Sequence, residues 1–302
     1  MKAIEFFSGI GGFNQAARRC GIETVAAFDQ DLAANQVYEI NYGLKPSCRN
    51  LDSIAAEEIP DADFWWMSPP CAPYTIRGAR RDEKDTRAKS LLHLMALIDR
   101  RKPKIIAVEN VVGFGDSIVL KRLKEEMAYQ GYDSSEMLLC PTQFGIPMRR
   151  PRLFVYAIRE GYGRVVRYPQ PVPNANELTR LSDVLMSLPT EILKVDESDI
   201  ERYGAVLNII DPFEPGQRAI CFTSGYGKCW KASGSLLRMK DGTVRRFAPV
   251  EILRLLGFPD DFCLPENLNL TKLLKLIGNS LEVRSVLFVL KAIKDNLLNV
   301  SD

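Results

Sequence analysis

Lys2-Ala3-Ile4-Glu5-Phe6-Phe7-Ser8-Gly9-Ile10-Gly11-Gly12-Phe13 is the stretch that decides the fold. Residues 2–7 read as a strand, 8–13 as a glycine turn and 14–19 as a helix closed by Gly21. In that order, the glycines let a backbone approach a ligand closely, and helix-terminal N–H groups face it. Residues 22–28 read as a second strand ending in Asp29-Gln30-Asp31. An acid at that strand end, about 20 residues past the loop, suits a pair of ribose hydroxyls. No P-loop lysine follows the glycines, so a ligand without phosphates is open, as is a plain packing turn.

Outward from this segment the same grammar repeats. Residues 33–42 read as a helix ended by Gly43, and a loop with Asn50 and Asp52 leads to the apolar strand Phe64-Trp65-Trp66-Met67. Residues 90–99 form an amphipathic helix. Ile105-Ile106-Ala107-Val108 is continuously apolar, as a buried central strand must be, and it runs into Glu109-Asn110-Val111. That strand edge is where open α/β sheets bind ligands. A helix over 120–130 and strands over 134–139 and 153–158 follow. Arg150 and Arg152, at alternate positions, are expected to share one strand face. The alternation predicts a doubly wound, parallel-rich α/β sheet to about residue 158. Residues 160–250 then turn to Pro, Gly and short strands, a smaller irregular domain. Helices resume over 250–256, 270–277 and 281–297, and Gly278-Asn279-Ser280 carries an N-cap signature for the last.

Composition prunes the chemistry. The chain has 302 residues, a net charge of +2 and 46% hydrophobic residues, so it is globular and any nucleic-acid footprint is local. Its seven cysteines are scattered, with no CxxC pair, which fits a reducing compartment and no zinc ribbon. No signal peptide and no apolar run long enough for a membrane span are seen. His93 is the single histidine, within the apolar helical run 91–97, so any triad, Cys-His or multi-histidine metal mechanism would have to use that one residue.

Against that background one cysteine stands out. In Ser68-Pro69-Pro70-Cys71-Ala72-Pro73-Tyr74-Thr75, prolines end a strand and stiffen the turn that holds the thiol. A cysteine there is either a small buried hydrophobe or a nucleophile aimed from a strand tip. The next segment carries Arg77, Arg80, Arg81, Lys84 and Arg87 against Asp82, Glu83 and Asp85. It reads as a solvated loop, or as a lid over an anionic substrate.

Taken together, these stretches resemble the cytosine C5-methyltransferase family. Residues 6–13 resemble its S-adenosylmethionine loop, Pro69-Pro70-Cys71 its nucleophile motif, Glu109-Asn110-Val111 its acid motif, and Arg150-Pro151-Arg152 its paired-arginine motif. Gly278-Asn279-Ser280-Leu281-Glu282-Val283 resembles the motif that closes the family's chain. They occur in the family's order over nearly the whole sequence. Cys221-Phe222-Thr223 with Gly225-Tyr226-Gly227, Met67-Ser68-Pro69-Pro70-Cys71 and Leu255-Leu256-Gly257-Phe258-Pro259 resemble the transfer-RNA-methylating branch, the type-2 DNA methyltransferase homologues. Two departures occur. Ala72 stands where that branch usually has Gln, leaving substrate preference open, and Met148 precedes the arginines where many DNA enzymes have Gln.

The resemblance implies a Rossmann-like, S-adenosylmethionine-dependent methyltransferase with a mixed sheet and helices on both faces. Residues 1–160 plus 250–302 would form the catalytic domain and 161–249 a small target-recognition domain. Cys71 would add to C6 of a cytosine, and Glu109 would bond N3 and the 4-amino group. Arg152, with Arg150 near, would support O2, and Asn110 would hold the Cys71 loop. The cofactor would lie against Phe7, Ser8, Gly9, Ile10, Gly11, Gly12, Phe13, Asp29, Gln30, Asn50, Asp52, Pro69, Asn279, Ser280 and Val283. Substrate contacts would come from Arg77, Arg80, Arg81, Cys221, Phe222, Thr223 and Lys228, with no metal. The implied partner is an anticodon-loop cytosine of tRNA, with DNA as the weaker or alternative acceptor, and the implied enzyme is a cytoplasmic monomer without membrane contact. A nicotinamide dehydrogenase leaves Pro-Pro-Cys, Glu-Asn-Val and Arg-x-Arg unexplained. A zinc deaminase needs H-x-E and P-C-x-x-C, which are missing. A non-catalytic RNA-binding protein would not need both Cys71 and Glu109.

Overall fold

The computed structural model describes residues 1–75, 82–173, 178–187 and 191–298. They form two compact units: Met1–Leu139 with Pro151–Gln170 and Val286–Asp302, and Cys140–Arg150 with Pro171–Ser285. Residues 140–150 and 250–285 thus group with the second unit, outside the bounds expected for a domain over 161–249.

The first unit holds strands β1 (Lys2–Phe6), β2 (Glu23–Phe28), β3 (Phe64–Met67), β4 (Ile105–Val111), β5 (Tyr132–Leu139) and, after the two-residue β6 (Met148–Arg149) of the second unit, β7 (Arg152–Arg159). Their order in one sheet is β2-β1-β3-β4-β7-β5. β1 pairs in parallel with β2 and β3, and β3 with β4, whereas β7 runs antiparallel to both β4 and β5. The sheet is therefore mixed, and parallel over the part that carries the glycine turn.

Alternation along each strand assigns the faces. Trp65 and Met67 of β3 join Ile106 and Val108 of β4 in one core with α3 (Lys89–Arg101) and α4 (Ile118–Tyr129). Phe64 and Trp66 point the other way, onto Phe13 of α1 (Gly12–Arg19), with ring centroids 5.6 and 4.9 Å apart. Helices thus cover both faces. α2 (Leu32–Tyr42) starts on Asp31, whose carboxylate accepts the Ala33 and Ala34 amides, and stops at Gly43. No helix among the described residues is long and apolar enough to cross a membrane.

The second unit is built from short pieces. β8 (Ile209–Ile210), β10 (Leu236–Arg238) and β11 (Val244–Arg246) form one small sheet, and β6 pairs with β9 (Ala219–Ile220). Helices α5 (Leu181–Val184), α6 (Glu197–Tyr203), α7 (Pro249–Leu255) and α8 (Leu270–Gly278) complete it. One of its apolar clusters, Val195, Leu236 and Val244, is accompanied by a buried ion pair. Arg245 grips Glu251 through two hydrogen bonds of 2.8 and 2.7 Å.

The last helix, α9 (Val283–Asn296), begins later than the expected 281. Asn279 and Ser280 do not cap it. Glu282 does, accepting the Arg284 and Ser285 amides at 3.2 and 2.8 Å. The shared strand face expected for Arg150 and Arg152 is also corrected. β6 ends at Arg149 and β7 starts at Arg152, because Pro151 has no amide to continue a ladder.

Candidate active site

The glycine turn is supported from beneath. Phe7 takes φ 58°, a left-handed backbone that a bulky residue adopts only where its surroundings hold it, and Gly9 follows at φ 51°. Gly11 is the N-cap of α1 and offers no side chain to the first amides. Glu5, buried in β1, takes over: its Oε1 accepts the Phe13 N–H at 3.2 Å and its Oε2 the Tyr38 hydroxyl at 2.8 Å. Burial pushes the Glu5 carboxyl up to about 8, against the pull of those bonds. Tyr42 donates its hydroxyl to the Gly11 carbonyl at 2.9 Å. The sequence reading missed this Glu5–Tyr38–Tyr42 brace; the i,i+4 spacing of the tyrosines was its one visible sign.

On the other side of the turn, Asp29 accepts the Gly9 and Asp31 amides, both at 2.8 Å. Burial raises the Asp29 pKa, and the two amides oppose it. Gln30 Nε2 donates to Asn50 Oδ1 at 3.2 Å, and the Asp52 amide donates to the same oxygen at 3.0 Å. The Asp52 carboxylate accepts the Ser90 hydroxyl. Ser8, Gly9, Asp29, Gln30, Asn50 and Asp52 therefore gather at the C-terminal ends of β1 and β2.

Two observations test whether the adenosyl cofactor implied by the resemblance fits here. Ser8 Oγ is buried with no hydrogen-bond partner among the described residues. A Cβ built on Gly9 would meet nothing within 4 Å. An unsatisfied hydroxyl beside open space suits a polar ligand, and a carboxylate has lone pairs beyond the two that Asp29 uses on amides. The residues fit the group.

The exposed Cys71 follows β3 and heads the turn Ala72–Tyr74, its carbonyl accepting the Tyr74 N–H at 3.0 Å. The turn is pinned twice. Asn110 donates its side-chain amide to the Pro69 carbonyl at 3.0 Å. Gly113 approaches so closely that a Cβ there would stand 2.3 Å from the Tyr74 carbonyl oxygen, and the Tyr74 ring packs on Phe114 at 4.8 Å. Beside Asn110, Glu109 pairs with Arg152, Oε1 to Nε 3.3 Å. Register explains the pair: Val111 faces Arg152 and Glu109 faces Phe154, so Glu109 and Arg152 are diagonal neighbours on one face. Side-chain exposures of 9% for Glu109 and 18% for Arg152 make this a shielded carboxylate–guanidinium pair. An exposed thiol, a tethered proline turn and a shielded acid suit nucleophilic chemistry on a polar ring. Among the described residues, no cluster of His, Cys, Asp or Glu is placed to hold a metal.

The remaining expected site residues belong to the second unit. Arg150, 4% exposed, donates to the carbonyls of Phe222 at 2.7 Å, Gly278 at 3.1 Å and Ser280 at 2.6 Å, and reaches Cys221 Sγ at 3.3 Å. It ties together the two motifs Cys221-Phe222-Thr223 and Gly278-Asn279-Ser280. The Phe222 ring is buried against Tyr226 and Phe247 at 5.0 and 4.9 Å, so this side chain serves the core. Thr223, Lys228 and Asn279 are exposed, Val283 is buried, and Ser280 Oγ is buried without a hydrogen-bond partner among the described residues. Arg77, Arg80 and Arg81 lie outside the described residues.

With this geometry in hand, the chain was compared with known proteins. A sequence profile described as "C-5 cytosine-specific DNA methylase" matches residues 1–204 and 217–295. The tRNA (cytosine(38)-C(5))-methyltransferase of Schizosaccharomyces pombe is 28% identical, over 98% of this chain and 98% of its own. The human protein of the same name is also 28% identical, over 96% of this chain and 98% of its own. A solved methyltransferase structure from Entamoeba histolytica superposes with a TM-score of 0.88 at 28% identity, covering 98% of each chain.

Proposed function

The chain belongs to the C-5 cytosine-specific DNA methylase family, and from that premise we propose that it is an S-adenosylmethionine-dependent tRNA (cytosine-5)-methyltransferase acting on an anticodon-loop cytosine. The observation that carries this reading is the grouping of Cys71, Asn110, Glu109 and Arg152 at adjoining strand ends. The choice of tRNA is supported by relatives named for it and by Cys221-Phe222-Thr223.

The cofactor, when bound, supplies an electrophilic methyl group. Ser8 and the turn at Gly9 would hold it, and Asp29 would take its ribose hydroxyls, with Gln30 and Asn50 beside them. Cys71 attacks C6 of the cytosine as a thiolate, forming a C–S bond and pushing electron density to C5. Glu109 hydrogen-bonds N3 and the 4-amino group as the ring becomes anionic, and Arg152 orients Glu109 and faces O2. Once C5 carries the methyl group, loss of its proton to a base expels the Cys71 sulfur. Asn110 keeps the sulfur in line by holding Pro69. Residues 161–249 serve target recognition. A target base in an RNA loop costs less to unstack than one in a duplex. The working unit is a single chain, and seven cysteines without a disulfide fit the cytoplasm.

Duplex DNA is the second acceptor, because the family description names DNA methylases. The test is tritium transfer from labelled S-adenosylmethionine to fractionated tRNA and duplex DNA side by side, followed by bisulfite mapping. Preferential labelling of one anticodon-loop cytosine is expected. DNA as the clearly better acceptor overturns the tRNA assignment, and no labelling of either overturns the activity.

A further inference from the structure

A thiol of ordinary pKa is only a few per cent thiolate at neutral pH, and the sole histidine is engaged elsewhere, its Nε2 2.8 Å from the Ile54 carbonyl. The Cys71 turn, Ala72–Tyr74, packs instead against two further turns, Asp82–Lys84 and Thr86–Ala88. The first is mounted on α4 and the second packs on α3. Asp82 accepts the Ile118 and Val119 amides at 2.6 and 3.3 Å, and Glu83 pairs with Arg122 at 2.9 Å. The Asp85 amide donates back to the Asp82 carbonyl at 3.0 Å.

Asp85 is buried and grips Arg87 three times. Its Oδ1 accepts the Arg87 backbone amide at 3.0 Å and Nε–H at 2.8 Å, and its Oδ2 accepts Nη2–H at 2.7 Å. A bidentate carboxylate fixes the plane of a guanidinium, while 54% of the Arg87 side chain stays exposed. The thiol turn feels these charges. Burial pushes the Tyr74 hydroxyl up, and Asp82 and Asp85 push it further. Arg87 is pushed up first by its Asp85 hydrogen bond, and the charge of Cys71 acts in the same direction. Such a coulombic interaction is mutual: a thiolate that favours the guanidinium is favoured by it.

We propose that Arg87, oriented by Asp85, holds the Cys71 sulfur as a thiolate, the thiol proton passing to bulk water. This rests on the reading of Cys71 as the nucleophile. Among the described residues, the charged groups around the turn are Asp82, Glu83, Lys84, Asp85 and Arg87 and, behind Asn110, the Glu109–Arg152 pair. Asp82 and Glu83 bond to α4, Glu109 pairs with Arg152, and Lys84 is exposed. Arg87 is the cation on these turns whose position is fixed by its neighbours.

The test is alkylation by iodoacetamide from pH 6 to pH 10, followed at each cysteine by peptide mass spectrometry, on the full chain. Exposed Cys48 and Cys229 serve as internal references. Cys71 is expected to react at lower pH than the references. Arg87→Ala should slow Cys71 alone, by about three- to tenfold at pH 7, and Arg87→Lys should restore most of the rate. A Cys71 profile in Arg87→Ala that overlays the wild type, with unchanged circular dichroism, overturns the proposal. An Arg87-dependent profile in a protein that methylates neither tRNA nor DNA would leave this inference standing and remove the proposed activity.

Discussion

In the first unit, Arg152 extends from β7 to the Glu109 carboxylate, with 18% of its side chain exposed. In the second, Arg150 is buried among the carbonyls of Phe222, Gly278 and Ser280. The two residues are separated by one proline, yet one pairs with the Glu109 carboxylate and the other closes a loop scaffold. The contrast extends to the regions around them. The first unit sets exposed or half-open polar groups on the ends of a rigid sheet. The second uses its polar groups internally, because strands of two or three residues leave many backbone groups unpaired.

The contrast breaks most visibly at Cys71. Because the thiol is exposed, Cys71→Ala should abolish tritium transfer, a loss on the order of 10³-fold or more, while the melting temperature stays put. Retained transfer would refute the covalent mechanism. Next come the arginines. Arg150→Ala strands three buried carbonyls and should destabilise the protein by about 3 kcal/mol in denaturant titration. Arg152→Ala should cost less stability than Arg150→Ala, but about 10²-fold in kcat. A kcat loss in Arg150→Ala as large as in Arg152→Ala, with stability unchanged, would restore the shared-face reading suggested by spacing alone.

Glycines offer a smaller test of the same division. A Cβ on Gly278 would stand 2.4 Å from the Thr223 carbonyl oxygen and 2.7 Å from the Ser224 nitrogen, both backbone atoms that cannot swing aside. Gly278→Ala should therefore cost about 2 kcal/mol. At Gly9 the added methyl meets no protein atom, and only the φ of 51° is strained. Gly9→Ala should cost about 1 kcal/mol but raise the KM for S-adenosylmethionine several-fold. An unchanged KM would mean that the open space beside Ser8 is not where the cofactor lies.

The first unit was legible because its signals are local: strand, glycine turn, helix, acid at the next strand end. Cys71, Glu109 and Asp29 could be placed from a few neighbouring residues each. Arg150 could not, since its role depends on carbonyls at 222, 278 and 280, which no periodicity brings together. The start of α9 was missed for a related reason. Asn279-Ser280 is the commoner capping pair, but Glu282 reaches the Arg284 and Ser285 amides. Asp85 and Arg87 were visible as loop charges, whereas their three-point clamp emerges only once the turn is folded.

The last comparison sets two buried carboxylates against each other. Glu251 in the second unit meets a cation, Arg245. Glu5 in the first unit meets neutral donors, Tyr38 and the Phe13 amide, and burial pushes its carboxyl from an ordinary 4.5 up to about 8. Between those two values the folded protein holds a proton that the unfolded chain has released. Stability contributed by that proton is fully present below about pH 4.5 and is lost as pH rises toward 8, by at most about 1.4 kcal/mol per pH unit. Glu5→Gln keeps a neutral acceptor for the α1 amide and removes the titration. Its denaturant midpoint should gain on that of the wild type from pH 5.5 to pH 7.5, a window inside the shift. Parallel curves would mean that Glu5 is ionised in the folded protein, and that the turn above it is built on a charge, as the Arg245–Glu251 corner is.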